Sequence, residues 1–577
     1  MLEVVGAPID DALLSGWRAR VERARATLGW QTPGLVARRH AQGASLALAA
    51  PCDQLFVATS INEWALCATL FAHDPKRWCA LPEAYIAAAL EDETEQAVLP
   101  SPSLEEAAAL TRFGRLAALE ARQNLRALLG AAAARGLQHV LDETKLTLGS
   151  GVGGRSYLLT DLPRTEAVPW KELHDIPTAI VTGSNGKTTT VRLLAACTRL
   201  HGWRTGYNCT DGVFIDDEIQ VSGDYSGPAG ARWVLREPRV AAAILETARG
   251  GILRRGVAVP RAQVAVITNI SSDHFGEYGI YDLDALAEVK LAVAPVVVRD
   301  GLLVLNADDD RLLAKAADLA GRIGGLPPLG LFALNADHPK LRENRHRGAP
   351  ACGVRDGRLC LGNRDGEHDL GAVAAMPLTV GGSATYNVAN LAAAALAAAA
   401  LGISPATIAA AFMKFGAQPA DNPGRMMRFE IGGVKVLVDY AHNPDGLRGL
   451  LEVAEHLRRG AGRLGLLLGH AGNRQDADID ALARVAAEFN PNLIVVKENE
   501  AQLRGREPGE MPRMIRAALV RSGLPESALL MAESEVAAAR CALDWARPGD
   551  VLALPIHSLQ ARSAVLEILG QQSPPPH

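Results

Sequence analysis

The sequence predicts an α/β protein: a P-loop-type central domain on a parallel sheet, then a C-terminal Rossmann-like α/β domain, preceded by an N-terminal mixed α/β domain. Three observations carry this expectation. From about Trp170 onward, short apolar runs alternate with helical stretches, the pattern of parallel strands joined by crossover helices. Within it, Ala179 to Thr198 (AIVTGSNGKTTTVRLLAACT) places a strand, a glycine-bearing turn with a lysine, and an apolar helix in direct succession. A turn-rich linker, Pro419 to Pro423, separates a second alternating stretch from the first. The expected domains are therefore residues 1–170, 171–418 and 419–577.

Length and composition agree with this division. A chain of 577 residues holds about three or four domains of ~100–200 residues each. Hydrophobic residues at 48% and charged ones at 21% are ordinary for a globular chain, and 5% aromatics among many alanines favour Ala-rich helices over a β-sandwich. A net charge of −5 gives neither the basic excess of a nucleic-acid binder nor an acidic tail. The eight cysteines form no C-x-x-C pair, which argues against a zinc ribbon or disulfide framework and for reduced thiols. The N-terminus lacks the basic start and apolar run of a signal peptide, and no uninterrupted apolar segment reaches the ~18 residues of a membrane span. The expectation is a soluble cytoplasmic protein, open to homo-oligomerisation, with no nucleic-acid or membrane partner.

Residues 1 to about 170 read as a domain whose role the sequence does not reveal. Ile9 to Trp30 has the periodicity of an amphipathic helix, Ser45 to Ala50 and Gln54 to Ala58 read as short strands, and Ser60 to Phe71 as a helix capped by its serine. Pro100-Ser-Pro-Ser103 introduces a long helical pattern, Leu104 to about Arg135. Gly149 to Gly154 is glycine-rich, yet neither a lysine nor a helix follows it, so it predicts a turn or flexible loop rather than a second phosphate site.

In the central domain, Ala179 to Thr182 predicts a buried strand and Val191 to Cys197 an apolar helix, with Gly183, Ser184, Asn185, Gly186, Lys187, Thr188 and Thr189 between them. Glycines let several backbone N–H groups turn onto one anion, the helix presents its positive end, and Lys187 adds a mobile charge. That combination is a nucleotide-phosphate cradle, with Thr188 placed to offer its hydroxyl to a Mg²⁺ on the phosphates. Its spacing, G-x-x-G-K-T-T, is shorter than the general G-x-x-x-x-G-K-[ST].

Later strands end in groups suited to the same site. Val240 to Leu245 terminates in Glu246, a hard oxygen ligand for Mg²⁺, with a surface glutamate as the competing reading. Arg249, Arg254 and Arg255 follow, either gripping a substrate carboxylate or making surface salt bridges. Val264 to Thr268 leads to Asp273 and His274, the histidine being either a metal ligand oriented by Asp273 or a structural residue. Leu302 to Leu305 and Arg358 to Leu361 predict hairpins packed on the main sheet, and Tyr386-Asn387 opens an Ala-rich helix. In the last domain, Val434 to Val438 ends in Asp439, with Tyr440, Ala441 and His442 behind it. There an Asp can accept from ribose hydroxyls, and Arg425 or Arg428 can fork onto phosphate. Leu464 to Leu468 precedes a loop carrying Asn473 and Arg474.

The loop TGSNGKTTT closely resembles the ATP loop of the Mur ligase superfamily of amide-forming enzymes. ETARGGILRRG (Glu246 to Gly256), TNISSDHFGEYG (Thr268 to Gly279), VDYAHNPDGL (Val438 to Leu447) and KENEAQLRGREPGE (Lys497 to Glu510) follow in order. Together with RPGDVL (Arg547 to Leu552) they look like the Mur-ligase-like half of cyanophycin synthetase, over about residues 175 to 565. No counterpart of that enzyme's ATP-grasp half is visible. The resemblance implies ATP and Mg²⁺ as cofactors, with Lys187, Thr188 and the loop glycines on the phosphates and with Thr188, Glu246 and His274 on metal ions. Lys290 matches the lysine that several Mur ligases carbamylate; a solvated helix charge is the other reading. Asn387 stands at a helix start near the adenine, where Tyr386 departs from the usual histidine. Arg425, Arg428, Asp439 and His442 belong to a module that closes over ATP.

The implied chemistry is amide formation between a carboxylate and an amine through an acyl phosphate, Lys187 and Mg²⁺ offsetting charge during phosphoryl transfer. An ATP-binding partner subunit of another ligase is the alternative that Tyr386 keeps open. A P-loop kinase leaves the Asp439 to His442 module without a role.

Overall fold

A computed structural model describes the chain apart from residues 1, 7–8, 32–33, 41–42, 92–98, 273–274, 276–277, 459, 461, 473–474, 500–502 and 573–577. It divides into two compact units, one of residues 1–136, 157–168 and 277–280, the other of residues 137–156, 169–276 and 281–577.

In the smaller unit, strands β1 (Leu2–Val5), β2 (Leu35–His40) and β3 (Gly43–Leu48) form an antiparallel sheet in the order β1-β3-β2. Trp17, Ile61, Trp64 and Phe113 are buried in its core. Trp17 Nε1 donates to Asn62 Oδ1 at 2.8 Å and Asn62 Nδ2 donates to Leu46 O at 3.1 Å, so the buried amide is satisfied. Gln54 to Ala58 is not a strand. It opens the helix Leu55–His73, and Ser60 lies inside that helix rather than capping it. The cap comes from far along the chain, because Glu120 accepts from Phe56 N and Val57 N at 2.8 and 2.9 Å. The expected single helix from Leu104 breaks into Glu106–Glu120 and Gln123–Ala134, where Asp53 accepts from Arg122 N at 2.7 Å and from Arg126 Nε. Helix Leu55–His73, although interrupted by Ser60, Asn62 and Glu63, is by length and mean composition long and apolar enough to cross a membrane. Half of its apolar window is buried in this unit's core.

The larger unit begins with the short strands β4 (His139–Leu141), β5 (Lys145–Leu148) and β6 (Arg155–Leu158). Gly151–Gly153 between β5 and β6 is a packed turn and not a flexible loop: a Cβ on Gly151 would collide with Val240 O, and one on Gly153 with His174 O.

The main sheet has eleven strands: β7 (Thr178–Thr182), β8 (Thr205–Cys209), β9 (Gly212–Ile215), β10 (Glu218–Ser222), β11 (Ala242–Glu246), β12 (Ala262–Ile267), β13 (Val297–Asn306), β14 (Leu329–Asn335), β15 (Ala351–Arg355), β16 (Arg358–Asn363) and β17 (Gly366–Ala372). Their order is β10-β9-β8-β11-β7-β12-β13-β14-β15-β16-β17. Pairing is parallel from β8 to β15, and antiparallel hairpins extend both edges. Of the two pieces expected in hairpins packed on the sheet, Leu302 to Leu305 instead belongs to β13, an interior parallel strand. Arg358 to Leu361 belongs to β16, which with β17 lengthens the sheet in its own plane from the open edge of β15. Helices Asp310–Ile323 and Pro339–His346 lie between the two pieces expected to form hairpins. Helices Lys187–Leu200 and Thr385–Ala400 share the core on one face, where buried alanines of the second helix allow a close approach.

A second sheet follows the linker: β18 (Met427–Ile431), β19 (Val434–Asp439), β20 (Leu464–Leu468), β21 (Leu493–Lys497), β22 (Leu529–Ala532) and β23 (Val551–Pro555), ordered β18-β19-β23-β20-β21-β22. Only β18 is antiparallel to its neighbour. At the tip of β21 the fully buried Lys497 ammonium pairs with Glu535 and donates to Pro555 O at 2.5 Å. Glu535 also accepts from His557 N and Ser558 N, each at 2.8 Å. Burial pulls the Lys497 ammonium below its ordinary pKa, while Glu535 opposes that fall. Lys497→Met should therefore cost about 3–5 kcal/mol by leaving the Glu535 charge buried. Pairing it with Glu535→Gln should recover much of the loss in urea denaturation; equal midpoints for the single variant and the unaltered chain would contradict this account of the pair.

Candidate functional site

Strand β7 lies between β11 and β12 in the parallel array, and chain order reverses around it. Its carboxyl end is thus the switch point where open α/β sheets leave a crevice. Gly183 and Gly186 sit there at φ of 146° and 83°, in the region that favours glycine. A Cβ on Gly183 would strike Thr268 Oγ1, and one on Gly186 would strike Asn390 Oδ1. The neighbouring strand tip fixes the loop between them. Ser184 N donates to Asn269 O at 3.0 Å, Asn185 N to Asn269 Oδ1 at 2.9 Å, and Thr268 Oγ1 to Asn185 O at 2.5 Å. From the other side Lys290, only 2% exposed, donates its Nζ to Gly183 O at 2.8 Å. Lys290 is thus a buried support of the loop and not a solvated charge. Lys187 folds back so that its Nζ donates to Ser184 O at 2.9 Å.

Glu246 has no exposed surface, which removes the reading of a surface glutamate. Its Oε2 accepts from Thr188 Oγ1 at 2.8 Å, its Oε1 accepts from Thr210 Oγ1 at 3.2 Å, and its carbonyl accepts from Asn208 Nδ2 at 2.9 Å. Burial pushes its carboxyl up, while Lys187, the Thr188 hydroxyl and Arg425 pull it down. An all-oxygen set of one carboxylate and adjacent hydroxyls at a phosphate loop fits Mg²⁺. Among the described residues no cluster of three or more His, Cys, Asp or Glu side chains is arranged to hold a metal alone. Water and phosphate would complete its coordination. Asp273 and His274 lie outside the described residues.

Glu246 and the loop open on a cavity of 590 Å³ whose far wall comes from the second sheet. Arg425 reaches it stacked over Tyr440, its guanidinium 4.1 Å from the ring centre. Asp439 accepts from Met426 N at 2.7 Å and Ala441 N at 2.8 Å; burial raises its carboxyl, while Arg425 and these bonds oppose the rise. His442 also lines the cavity, with Nδ1 3.3 Å from Tyr440 O. Asn443 Nδ2 donates to Asn185 Oδ1 at 2.9 Å, joining the second module to the loop. Asn387 lines the cavity too, with Nδ2 donating to Leu378 O at 3.0 Å and Oδ1 accepting from Asn390 Nδ2 at 3.1 Å. Beside it the Tyr386 ring packs against Gly449, and its hydroxyl has no hydrogen-bond partner among the described residues.

Four arginines singled out in the sequence are not brought here. Arg428 is exposed, donates to Gly416 O at 3.3 Å and borders a separate cavity beside the linker. Arg249 is buried, Arg254 and Arg255 are exposed, and none of these three lines the 590 Å³ cavity.

The cavity also includes residues the sequence reading passed over. Asn306, Asp308, Asp309 and Asp310 follow β13, where Asn306 Nδ2 donates to Thr268 O at 3.0 Å and Asp309 Oδ2 accepts from Ile270 N at 2.7 Å. The signal was a run of polar residues directly after an apolar strand. Asp211, at the turn between β8 and β9, accepts from Arg192 Nη2 at 2.6 Å and Arg562 Nη2 at 2.8 Å. Burial opposes its ionisation, yet Arg425, Arg192 and Arg562 hold its carboxyl below the ordinary value. No local motif could mark it, because its partners lie far apart in the chain.

Residues 181–323 match the family model of the Mur ligase middle domain, and residues 424–554 that of the Mur ligase glutamate ligase domain. Cyanophycin synthetase of Trichormus variabilis is 38% identical over 410 residues, covering 69% of this chain and 44% of that protein. Its Synechocystis counterpart is 33% identical over 421 residues, 72% of this chain and 46% of that protein. The chain thus spans under half the length of these relatives. UDP-N-acetylmuramoyl-L-alanyl-D-glutamate–2,6-diaminopimelate ligase of Alkalilimnicola ehrlichii is 32% identical over 382 residues, 64% of this chain and 69% of that protein. In fold, the chain is similar to E. coli FolC in complex with DHPP and ADP, with a TM-score of 0.51 at 19% identity, covering 68% of this chain and 89% of that one.

The loop geometry makes a stability prediction. Gly186→Ala combines an unfavourable φ with a collision, and should cost about 1–3 kcal/mol more than Gly202→Ala. Gly202 has φ of 101° but open space around it. Denaturation midpoints of the two variants measure the difference, and equal midpoints would contradict the close approach to Asn390.

Proposed function

The chain belongs to the Mur ligase family, and on that premise we propose that it is a cytoplasmic ATP-dependent ligase that joins a carboxylate to the amine of an amino acid or peptide. The observation that carries this reading is the buried Glu246 carboxylate hydrogen-bonded to the loop's Thr188, at the mouth of a cavity walled on its far side by the second module.

A carboxylate does not condense with an amine at neutral pH, because it is a poor electrophile. The γ-phosphoryl group of ATP would pass to a carboxylate oxygen, giving an acyl phosphate and ADP. The amine nitrogen would then attack the acyl carbon, phosphate would leave, and the amine would lose a proton to form the amide. The loop's backbone N–H groups and Lys187 would hold the β- and γ-phosphates, Lys187 exchanging its bond to Ser184 O for phosphate oxygens. Thr188 and Glu246 would hold Mg²⁺, with His274 as a further candidate ligand; when bound, the ion draws charge from the phosphoryl oxygens. Arg425, braced on Tyr440, faces the same space. Asp439 and Asn387 lie in the cavity with His442 as the candidates for the nucleoside end. Lys290 as an amine ties its helix to Gly183 O; carbamylation would replace that bond with a carboxylate for a second ion. The bond between Asn443 and Asn185 supports a closed arrangement that keeps water from the acyl phosphate.

The test is phosphate release from ATP and Mg²⁺ against a matrix of acids and amines, with mass spectrometry of each active pair. The acids are aspartate, glutamate, short Asp-containing peptides and cyanophycin-like dipeptides, and the amines include basic and diamino acids. A product lighter than its two substrates by one water is expected. ADP with a stable phosphorylated product would replace the ligase by a kinase. Lys187→Ala should lower turnover at least ~100-fold while leaving the thermal midpoint nearly unchanged, since its half-buried side chain opens the helix Lys187–Leu200 outside the apolar core; an unfolded variant would count against the loop assignment.

A further inference from the structure

Two pairs of adjacent residues divide their bonds in the same way. Thr188 and Thr210 donate to Glu246. Their chain neighbours Thr189 and Asp211 instead hold the linker and the last helix. Thr189 Oγ1 accepts from Asn422 Nδ2 at 3.2 Å, and Asp211 accepts from Arg562 Nη2 at 2.8 Å. Arg192, buried in the helix that follows the phosphate loop, completes the connection. Its Nη2 reaches Asp211 at 2.6 Å, and its Nη1 reaches Asn422 Oδ1 at 3.2 Å and Pro423 O at 3.0 Å.

The contact ends beside Arg425. Gly424, at φ of 70°, lies so close beneath Arg562 that a Cβ there would collide with the guanidinium. The next residue is Arg425, whose carbonyl accepts from Asn422 Nδ2 at 3.3 Å and whose side chain enters the cavity over Tyr440. Neither Arg562, Arg192 nor Asp211 lines that cavity. A buried carboxylate shared by two guanidinium groups is directional as well as strong, because each fork has one favourable approach.

We propose that Asp211, held between Arg192 and Arg562, is a positioning residue that docks the second module on the phosphate-loop helix and so sets Arg425 in the cavity. The docking stands on its own geometry; its effect on turnover rests on the ligase reading. The phosphate contacts of the loop belong to the central module and do not need it.

Hydrogen exchange of the linker amides, residues 416–426, tests the docking on the full chain without nucleotide. Asp211→Asn and Arg562→Gln should each speed exchange there at least ~10-fold and leave residues 183–189 unchanged; Arg562→Lys should restore much of the protection. With an active acid and amine pair, kcat should fall about 10–100-fold in Arg562→Gln and recover in Arg562→Lys. Unchanged linker exchange would overturn the proposal. So would loss of protection at residues 183–189 in step with kcat, with no rescue by Arg562→Lys, which is the pattern of a merely structural residue. If the unaltered chain bound no ADP, the ATP reading would fail while linker exchange still decided the docking.

Discussion

A buried carboxylate needs donors, and the hydroxyl of Thr188 supplies one to Glu246. That bond requires β7 and β11 to be parallel neighbours, so that both strands end on the same side of the sheet. It also requires the chain leaving β7 to turn at once into a helix, which Gly183 and Gly186 allow because any side chain at either position would strike Thr268 or Asn390. Thr268 follows β12 on the opposite flank of β7, and Lys290 fastens the loop from behind. The loop is thus shaped mainly by its neighbours, and its own residues remain available to a phosphate.

The second module reaches this centre by polar contacts at its strand tips and linker. Asn443 touches Asn185, Asn422 touches Thr189, and Arg562 shares Asp211 with Arg192. Apolar packing joins the modules as well, since Val380 and Ala384 lie in one buried cluster with Leu437, Leu447 and Leu450. Each contact lies within one or two residues of a group at the candidate phosphate site, so the far wall of the cavity is tied directly to the loop.

What could be read in the sequence followed the range of the interactions. Buried parallel strands such as Thr178–Thr182 and Leu464–Leu468 are continuous apolar runs, and the turn after the first needs glycines that are visible in the string. Distant partners left no such trace. Glu120 caps a helix from across the small unit, so Gln54 to Ala58 looked like a strand, and Asp53 ends a helical pattern that continues in the local sequence. Side-chain direction was equally hidden. Arg425 and Arg428 differ by three positions, yet one enters the cavity and the other turns to Gly416 O. Arg249, Arg254 and Arg255 follow Glu246 directly, but the helix they form carries them away from the cavity.

The central claim is that a substrate carboxylate takes the phosphoryl group before the amine arrives. Heavy oxygen placed in that carboxylate tests it most directly. Through an acyl phosphate, one labelled oxygen would appear in the released phosphate and the other would stay in the amide product. Phosphate free of label, formed at the same rate as the amide, would contradict the acyl phosphate and with it the mechanism proposed for this site.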